Sequence, residues 1–146
     1  MFRGRYEHTI DDKGRISIPS KFREILNKKY DGRLVITNLD QCLIVFPAEE
    51  WAILEQKAGA FSLLSKETSA FFRFFYSSAI DCAVDKQGRI LIPQTLREYA
   101  TLQRDVVLVG EGKRLEIFAK ERWLEEARKA EESFDKIRGT LASLGI

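Results

Sequence analysis

The sequence predicts a mainly β fold of the α+β class, built from two tandem copies of one strand, turn, strand and short-helix unit. Three observations carry that prediction. The stretch DDKGRISIP, Asp11 to Pro19, returns as DKQGRILIP, Asp85 to Pro93. Across the fourteen aligned positions of Asp11–Glu24 and Asp85–Glu98, eight residues are identical, against roughly one by chance at ordinary composition. Isoleucines alternate after each turn, and Pro19 and Pro93 then end the strand, because proline cannot donate to a ladder.

Each unit opens with a strand, Tyr6–Ile10 in the first and Ile80–Val84 in the second. DDKG and DKQG follow as type I turns, with Gly14 and Gly88 supplying the left-handed residue of a bulge. In the next strand Ile16 and Ile18, or Ile90 and Ile92, share a face. SKFREIL and QTLREYA are short helices with Phe22 and Ile25, or Leu96 and Tyr99, on one side. LVIT and VVLVG begin a second strand pair that CLIVF and LEIF complete, and a longer helix starts near Pro47 or Lys120. Here the repeat offset falls from 74 to 72, aligning Leu43 with Leu115, Phe46 with Phe118 and Trp51 with Trp123. A unit of roughly 45 residues buries little surface alone. Two copies packed together, with strands interleaved, bury enough. The resulting organisation is a first unit at residues 1–52, a helical connector at 53–78, a second unit at 79–124, and a C-terminal helix and tail at 125–146.

In the connector, Ser65 followed by Glu67 marks a helix start. Phe71, Phe74 and Phe75 fall on one face of that helix, Phe72 and Tyr76 on another. A short helix apolar on two faces is buried on both or meets another subunit. The expectation is a core or inter-repeat role for most of these aromatics, with homo-oligomer contact as the alternative. The last helix, Lys120 to about Arg138, carries Trp123, Leu124, Ala127, Ala130, Phe134 and Ile137 as its apolar stripe. The closing GTLASLGI fits either a frayed tail or a docking peptide.

Composition narrows the function. Of 146 residues, 45% are hydrophobic and 32% charged, a normal soluble balance. No apolar run approaches the ~20 residues that span a bilayer, and the N-terminus lacks a secretory apolar core, so the expectation is a cytoplasmic protein with no membrane partner. Cys42 and Cys82 stand 40 positions apart and His8 is the single histidine, so no zinc set forms and both cysteines are expected buried and reduced. No Ser-His-Asp set, P-loop or dinucleotide glycine motif is present. The chain is therefore expected to be no enzyme, with no cofactor and no small-molecule substrate. His8 is expected to be a surface or packing residue.

The net charge is only +2, but residues 1–33 hold nine Lys and Arg against five acids. An arginine follows the turn glycine in both copies, Arg15 and Arg89, each on the strand face opposite the isoleucines. Two readings stand level on spacing alone. Each arginine pairs with its turn aspartate, Asp11 or Asp85, or each guanidinium fork grips phosphate or guanine O6 and N7 in a groove that admits a two-stranded ribbon. Neighbouring charge favours the second reading, more for Arg15 than for Arg89. Arg3, Arg5, Lys13 and Lys21 accompany the first motif, whereas only Lys86 lies beside the second.

At these residues a family comes into view. MFRGRYEHTIDDKGRISIPSKFR together with DKQGRILIPQTLRE resembles the MraZ family, built from two tandem AbrB-like (SpoVT-AbrB) units. The two Asp-x-x-x-Arg motifs, Asp11/Arg15 and Asp85/Arg89, make the resemblance specific. It implies a pseudo-dimeric, swapped-hairpin, double-psi-like barrel with peripheral helices, assembled into a ring-shaped homo-oligomer. It also implies a nucleoid-associated transcriptional regulator that binds repeated double-stranded DNA sites in the promoter of the division and cell-wall gene cluster. Arg15 is then the favoured DNA contact, with a weaker carry-over to Arg89. The aromatic FFRFFYSSA departs from the more polar helix of that family. The competing class is a protein-interaction module, as in antitoxins that share the AbrB fold.

Overall fold

Strand pairing in the computed structural model, which describes residues 1–61 and 64–146, crosses between the two copies. The first copy contributes β1 (Phe2–Thr9), β2 (Arg15–Ser17), α1 (Ser20–Lys29), β3 (Arg33–Leu39) and β4 (Cys42–Pro47), and α2 (Ala48–Ala58) runs across the expected end of unit 1 at residue 52. The connector forms α3 (Lys66–Ser77). The second copy contributes β5 (Ile80–Ala83), β6 (Arg89–Leu91), α4 (Gln94–Tyr99), β7 (Asp105–Gly112) and β8 (Arg114–Ala119), and α5 (Lys120–Ser133) runs across the expected end of unit 2 at residue 124. A 3₁₀ turn over Phe134–Ile137 and α6 (Arg138–Ser143) end the chain. The architecture is α+β, a mainly antiparallel sheet with several helices.

Six strands form one sheet in the order β1-β7-β8-β4-β3-β5, and β2 and β6 form a separate two-stranded ribbon. Each copy's first strand thus completes the other copy's sheet. His8 pairs with Val106 while Cys82, its repeat equivalent, pairs with Leu34. The expected strand-turn-strand hairpins are reduced to little more than their turns. Among the described residues, the one ladder bridge between the two arms is Ile10–Ile16, and β2 pairs instead with β6. The first strand also runs longer than expected from Tyr6–Ile10, because β7 offers it a partner back to Phe2.

Alternation along β3, β4, β7 and β8 gives both sheet faces an apolar cover. On the inner face Leu34, Ile36, Leu43, Val45, Val106, Leu108, Leu115 and Ile117 pack with Ile16, Ile18, Ile90 and Ile92 of the ribbon segments, Phe22 of α1 and Leu96 of α4. On the outer face Val35, Ile44, Phe46 and Phe118 meet Trp51 and Phe75. The matched tryptophans sit equivalently, Trp51 against Phe46 at 5.4 Å and Trp123 against Phe118 at 5.3 Å between ring centroids. What covers them differs. Phe75 stacks on Trp51 at 5.5 Å, whereas the Arg5 guanidinium lies 5.5 Å from the Trp123 ring centroid.

Two expectations about aromatic and apolar stripes change. In α3 only Phe75 is buried, and Phe71, Phe74 and Tyr76 stay exposed. Ser65 does cap that helix, accepting from Thr68 N–H at 3.3 Å, and the Thr37 hydroxyl ties it to the sheet by donating to Phe75 O at 2.7 Å. α5 buries no residue and Leu124 faces outward, as do Phe134 and Ile137 of the 3₁₀ turn where the expected single helix breaks off. Of the cysteines, Cys42 is buried and Cys82 half-buried; burial pushes their thiols up to about 12 and about 11. No helix among the described residues is long and apolar enough to cross a membrane.

Candidate nucleic-acid interface

Asp11 organises the first turn with three donors. Its Oδ1 accepts from the backbone N–H of Arg15 at 2.8 Å and of Lys13 at 3.0 Å, while Oδ2 accepts from Arg15 Nε at 2.7 Å. These contacts, the Arg15 backbone bond first, hold its carboxyl down to about 2. The turn closes through Gly14 N–H to Asp11 O at 3.0 Å, and Gly14 sits at φ +88°. Asp85 repeats the arrangement: its Oδ1 accepts from Arg89 N–H at 2.9 Å and from Gln87 N–H at 2.8 Å, with Arg89 Nε at 3.3 Å from Oδ2. Its carboxyl is likewise lowered, chiefly by the Arg89 backbone bond.

The arginine–aspartate pairing of the first reading is present in both turns. Nε is engaged by the turn aspartate, so the aspartate aims the side chain. The Nη groups of Arg15 and Arg89 make no hydrogen bond among the described residues, which leaves the outer end of each fork open. An exposed pair of this kind contributes little stability, about 0–1 kcal/mol. Its value is orientation.

The ribbon brings the two arginines together. Ile16 faces Ile90, Arg15 faces Leu91 and Ser17 faces Arg89. Because directly opposed residues share a face, Arg15, Ser17, Arg89 and Leu91 all lie on the side away from the buried isoleucines. Arg15 and Arg89 are diagonal neighbours, for which about 7–8 Å is the usual separation. A two-stranded ribbon is an element that the major groove of B-DNA admits.

The remaining candidate residues divide. Lys13 and Lys86 are exposed in the two turns beside the ribbon, and Lys21 is exposed at the start of α1. Arg3 and Arg5 lie farther up β1, paired in register with Glu111 and Val109, and Arg5 is engaged with Trp123. Five residue steps of strand, about 17 Å, separate the Arg5 and Ile10 backbones, so the structure does not bring these two arginines to the ribbon. Interleaving supplies other cations instead. Arg97 of unit 2 lies against Gly14, Arg23 of unit 1 against Gly88, and Arg104 O accepts from Ile10 N–H at 2.8 Å beside the first turn. Arg23 and Arg97 were visible as one of the eight repeat identities; nothing local marked Arg104. His8 donates Nδ1–H to Ser17 O at 2.7 Å, a packing role that pins β2 to β1.

A chain whose two halves repeat one unit and share a pseudo-symmetric ribbon is a tandem-repeat protein. The MraZ family model, described as antitoxin-like, matches residues 1–74 and again 75–143. This chain belongs to the MraZ family. It is 46% identical over 146 residues to the protein named transcriptional regulator MraZ from Desulfitobacterium hafniense, covering 100% of both chains. The protein of the same name from Caldicellulosiruptor saccharolyticus is 47% identical, again over 100% of both. The family is one of transcriptional regulators, not of enzymes. Among solved structures, the solution structure of PHS018 from Pyrococcus horikoshii aligns over 80% of this chain and 88% of its own. Its TM-score of 0.33 and 14% identity are too low to bear on the fold.

Proposed function

We propose that the chain regulates transcription by binding double-stranded DNA through the β2–β6 ribbon, with Arg15 and Arg89 entering the major groove together. The carrying observation is that both arginines share one outward ribbon face, each aimed by its own aspartate and each with a free outer fork. Lys13, Lys86 and Lys21 flank this face as phosphate contacts, and Arg3 and Arg5 fall outside it. The pairing of units 1–52 and 79–124 is read as a pseudo-dimeric swapped-hairpin barrel. In a ring-shaped homo-oligomer each subunit presents one ribbon, so repeated sites in the promoter of the division and cell-wall gene cluster gain affinity through multivalency. Cytoplasmic, nucleoid-associated placement follows from that activity.

Fluorescence anisotropy with DNA from upstream of the chain's own gene tests the reading, with scrambled DNA as control. Preferential binding that weakens about tenfold or more in Arg15→Ala is expected. A folded wild type that binds neither DNA at low salt, yet retains a stoichiometric protein partner on native purification, would replace DNA reading with an antitoxin-like interaction role.

A further inference from the structure

Arg23 on α1 and Arg97 on α4 occupy equivalent repeat positions, and each reaches the turn of the opposite copy. A Cβ placed on Gly88 would lie 2.8 Å from Arg23 Nη1 and 2.9 Å from its Cζ. One placed on Gly14 would lie 3.0 Å from both Cζ and Nε of Arg97. Each guanidinium thus fills the space that a side chain on the glycine would take. The same crossing appears in the backbone, where Ile92 N–H donates to Gly14 O and Ile18 N–H to Gly88 O, both at 2.8 Å. No carboxylate forms an ion pair with either arginine among the described residues. Arg23 Nε donates to Ile18 O at 3.1 Å, while Arg97 Nε is buried without a hydrogen-bond partner among them. Packing against the turn, not charge pairing, is what holds Arg97 where it is.

From this geometry we infer that Arg23 and Arg97 are positioning residues for DNA reading, each bracing across the copies the turn from which the other copy's ribbon arginine projects. Arg97 braces Gly14 and through it Asp11 and Arg15; Arg23 braces Gly88 and through it Asp85 and Arg89. The chain of contact is short. Asp11 lies in the turn, Arg15 Nε is tied to Asp11, and the turn backbone rests on the Arg97 guanidinium. Without that support the turn samples more conformations, and binding must pay the ordering cost at the moment of contact. The inference rests on the DNA-binding reading for its consequence but not for its geometry.

The test combines a binding cycle with spectroscopy of the free protein. Arg97→Ala is expected to weaken DNA binding about tenfold in the wild-type background and to add nothing in an Arg15→Ala background, the non-additivity of residues acting through one contact. An equal further loss in the Arg15→Ala background would make Arg97 an independent phosphate contact and overturn the inference. Arg97→Lys keeps the charge and loses the planar fork, so it is expected to behave like Arg97→Ala; full binding by Arg97→Lys would also overturn it. In ¹⁵N spectra without DNA, Arg97→Ala is expected to move the Gly14 amide and the Arg15 Nε–H signals while leaving Gly88 and Arg89 in place, and Arg23→Ala to do the converse. Shifts confined to each arginine's own copy would refute the bracing even where wild type binds no DNA, which separates this failure from failure of the DNA reading.

Discussion

Ile16 lies directly opposite Ile90, and Ile44 directly opposite Glu116. Each pair joins equivalent repeat positions, so the pseudo-twofold relating the copies passes between the ribbon isoleucines and between the middle residues of β4 and β8. The axis places Arg15 and Arg89 as symmetric partners on one face.

That symmetry makes a prediction about the two arginines. Arg15→Ala and Arg89→Ala should each weaken DNA binding, and each should reduce the slope of log affinity against log salt by about 0.9 if its fork grips one phosphate. Titrations at four salt concentrations check this. An unchanged slope with lost discrimination against scrambled DNA would assign the arginine to a base edge instead.

Gly14 is held by more than its backbone angle. A Cβ there would meet Ile92 O at 2.7 Å, at φ +88°, whereas Gly32 at φ +87° has nothing within 4 Å. Gly32→Ala should therefore cost only the strain of a left-handed alanine, about 1–2 kcal/mol. Gly14→Ala adds a backbone clash and should cost about 3 kcal/mol or more. Urea denaturation of both variants gives the comparison.

Glu116 should make stability depend on pH near neutrality. Its side chain is only 19% exposed, and burial pushes its carboxyl up to about 7, helped by the carboxyl of Glu111. Arg114 opposes the shift from the same hairpin, with Nη2 at 4.0 Å, and the Cys42 thiol donates from β4 at 3.8 Å. A raised carboxyl favours the folded chain below the ordinary value of 4.5, and this contribution is lost as pH rises through about 7. Glu116→Gln stays neutral throughout, so its stability relative to wild type should improve by about 1–3 kcal/mol between pH 5 and pH 8. A constant difference across that range would count against the buried carboxyl.

Thr101 ends α4 in a demanding conformation. Leu102 N–H donates to Arg97 O at 2.9 Å and Thr101 N–H to Glu98 O at 3.1 Å, the double bond of a Schellman cap. Its left-handed position, φ +52°, is filled by a β-branched residue where glycine is usual. Thr101→Gly should raise stability by about 1 kcal/mol, visible as a higher melting temperature.

Local chemistry was what the sequence made legible. The two turns, their glycines, the proline stops and the Ser65 cap all follow from residues close in the chain, and each is present. The partner of β2 was not legible, because alternation tells which face Ile16 shows but not which strand lies beside it. For the same reason, charge near Arg15 in sequence is not all near it in space. Arg5 leaves along β1 to Trp123, while Arg97 arrives from the other copy. Helical periodicity ran one apolar stripe through α5 and the 3₁₀ turn after it but could not say whether anything covers it, and Leu124, Phe134 and Ile137 remain outside.

The interleaving has an evolutionary consequence. A dimer of identical chains must show the same residue at both ends of its axis, so any change is made twice. Once the two halves are one chain, that rule lapses. Lys13 stands against Gln87, Ser17 against Leu91 and Ile44 against Glu116, each pair equivalent in the repeat yet different in chemistry. At Ser17 and Leu91 the ribbon therefore carries a lopsided surface; on the proposed DNA reading, it would meet the two halves of an asymmetric site differently, as two interchangeable half-molecules could not.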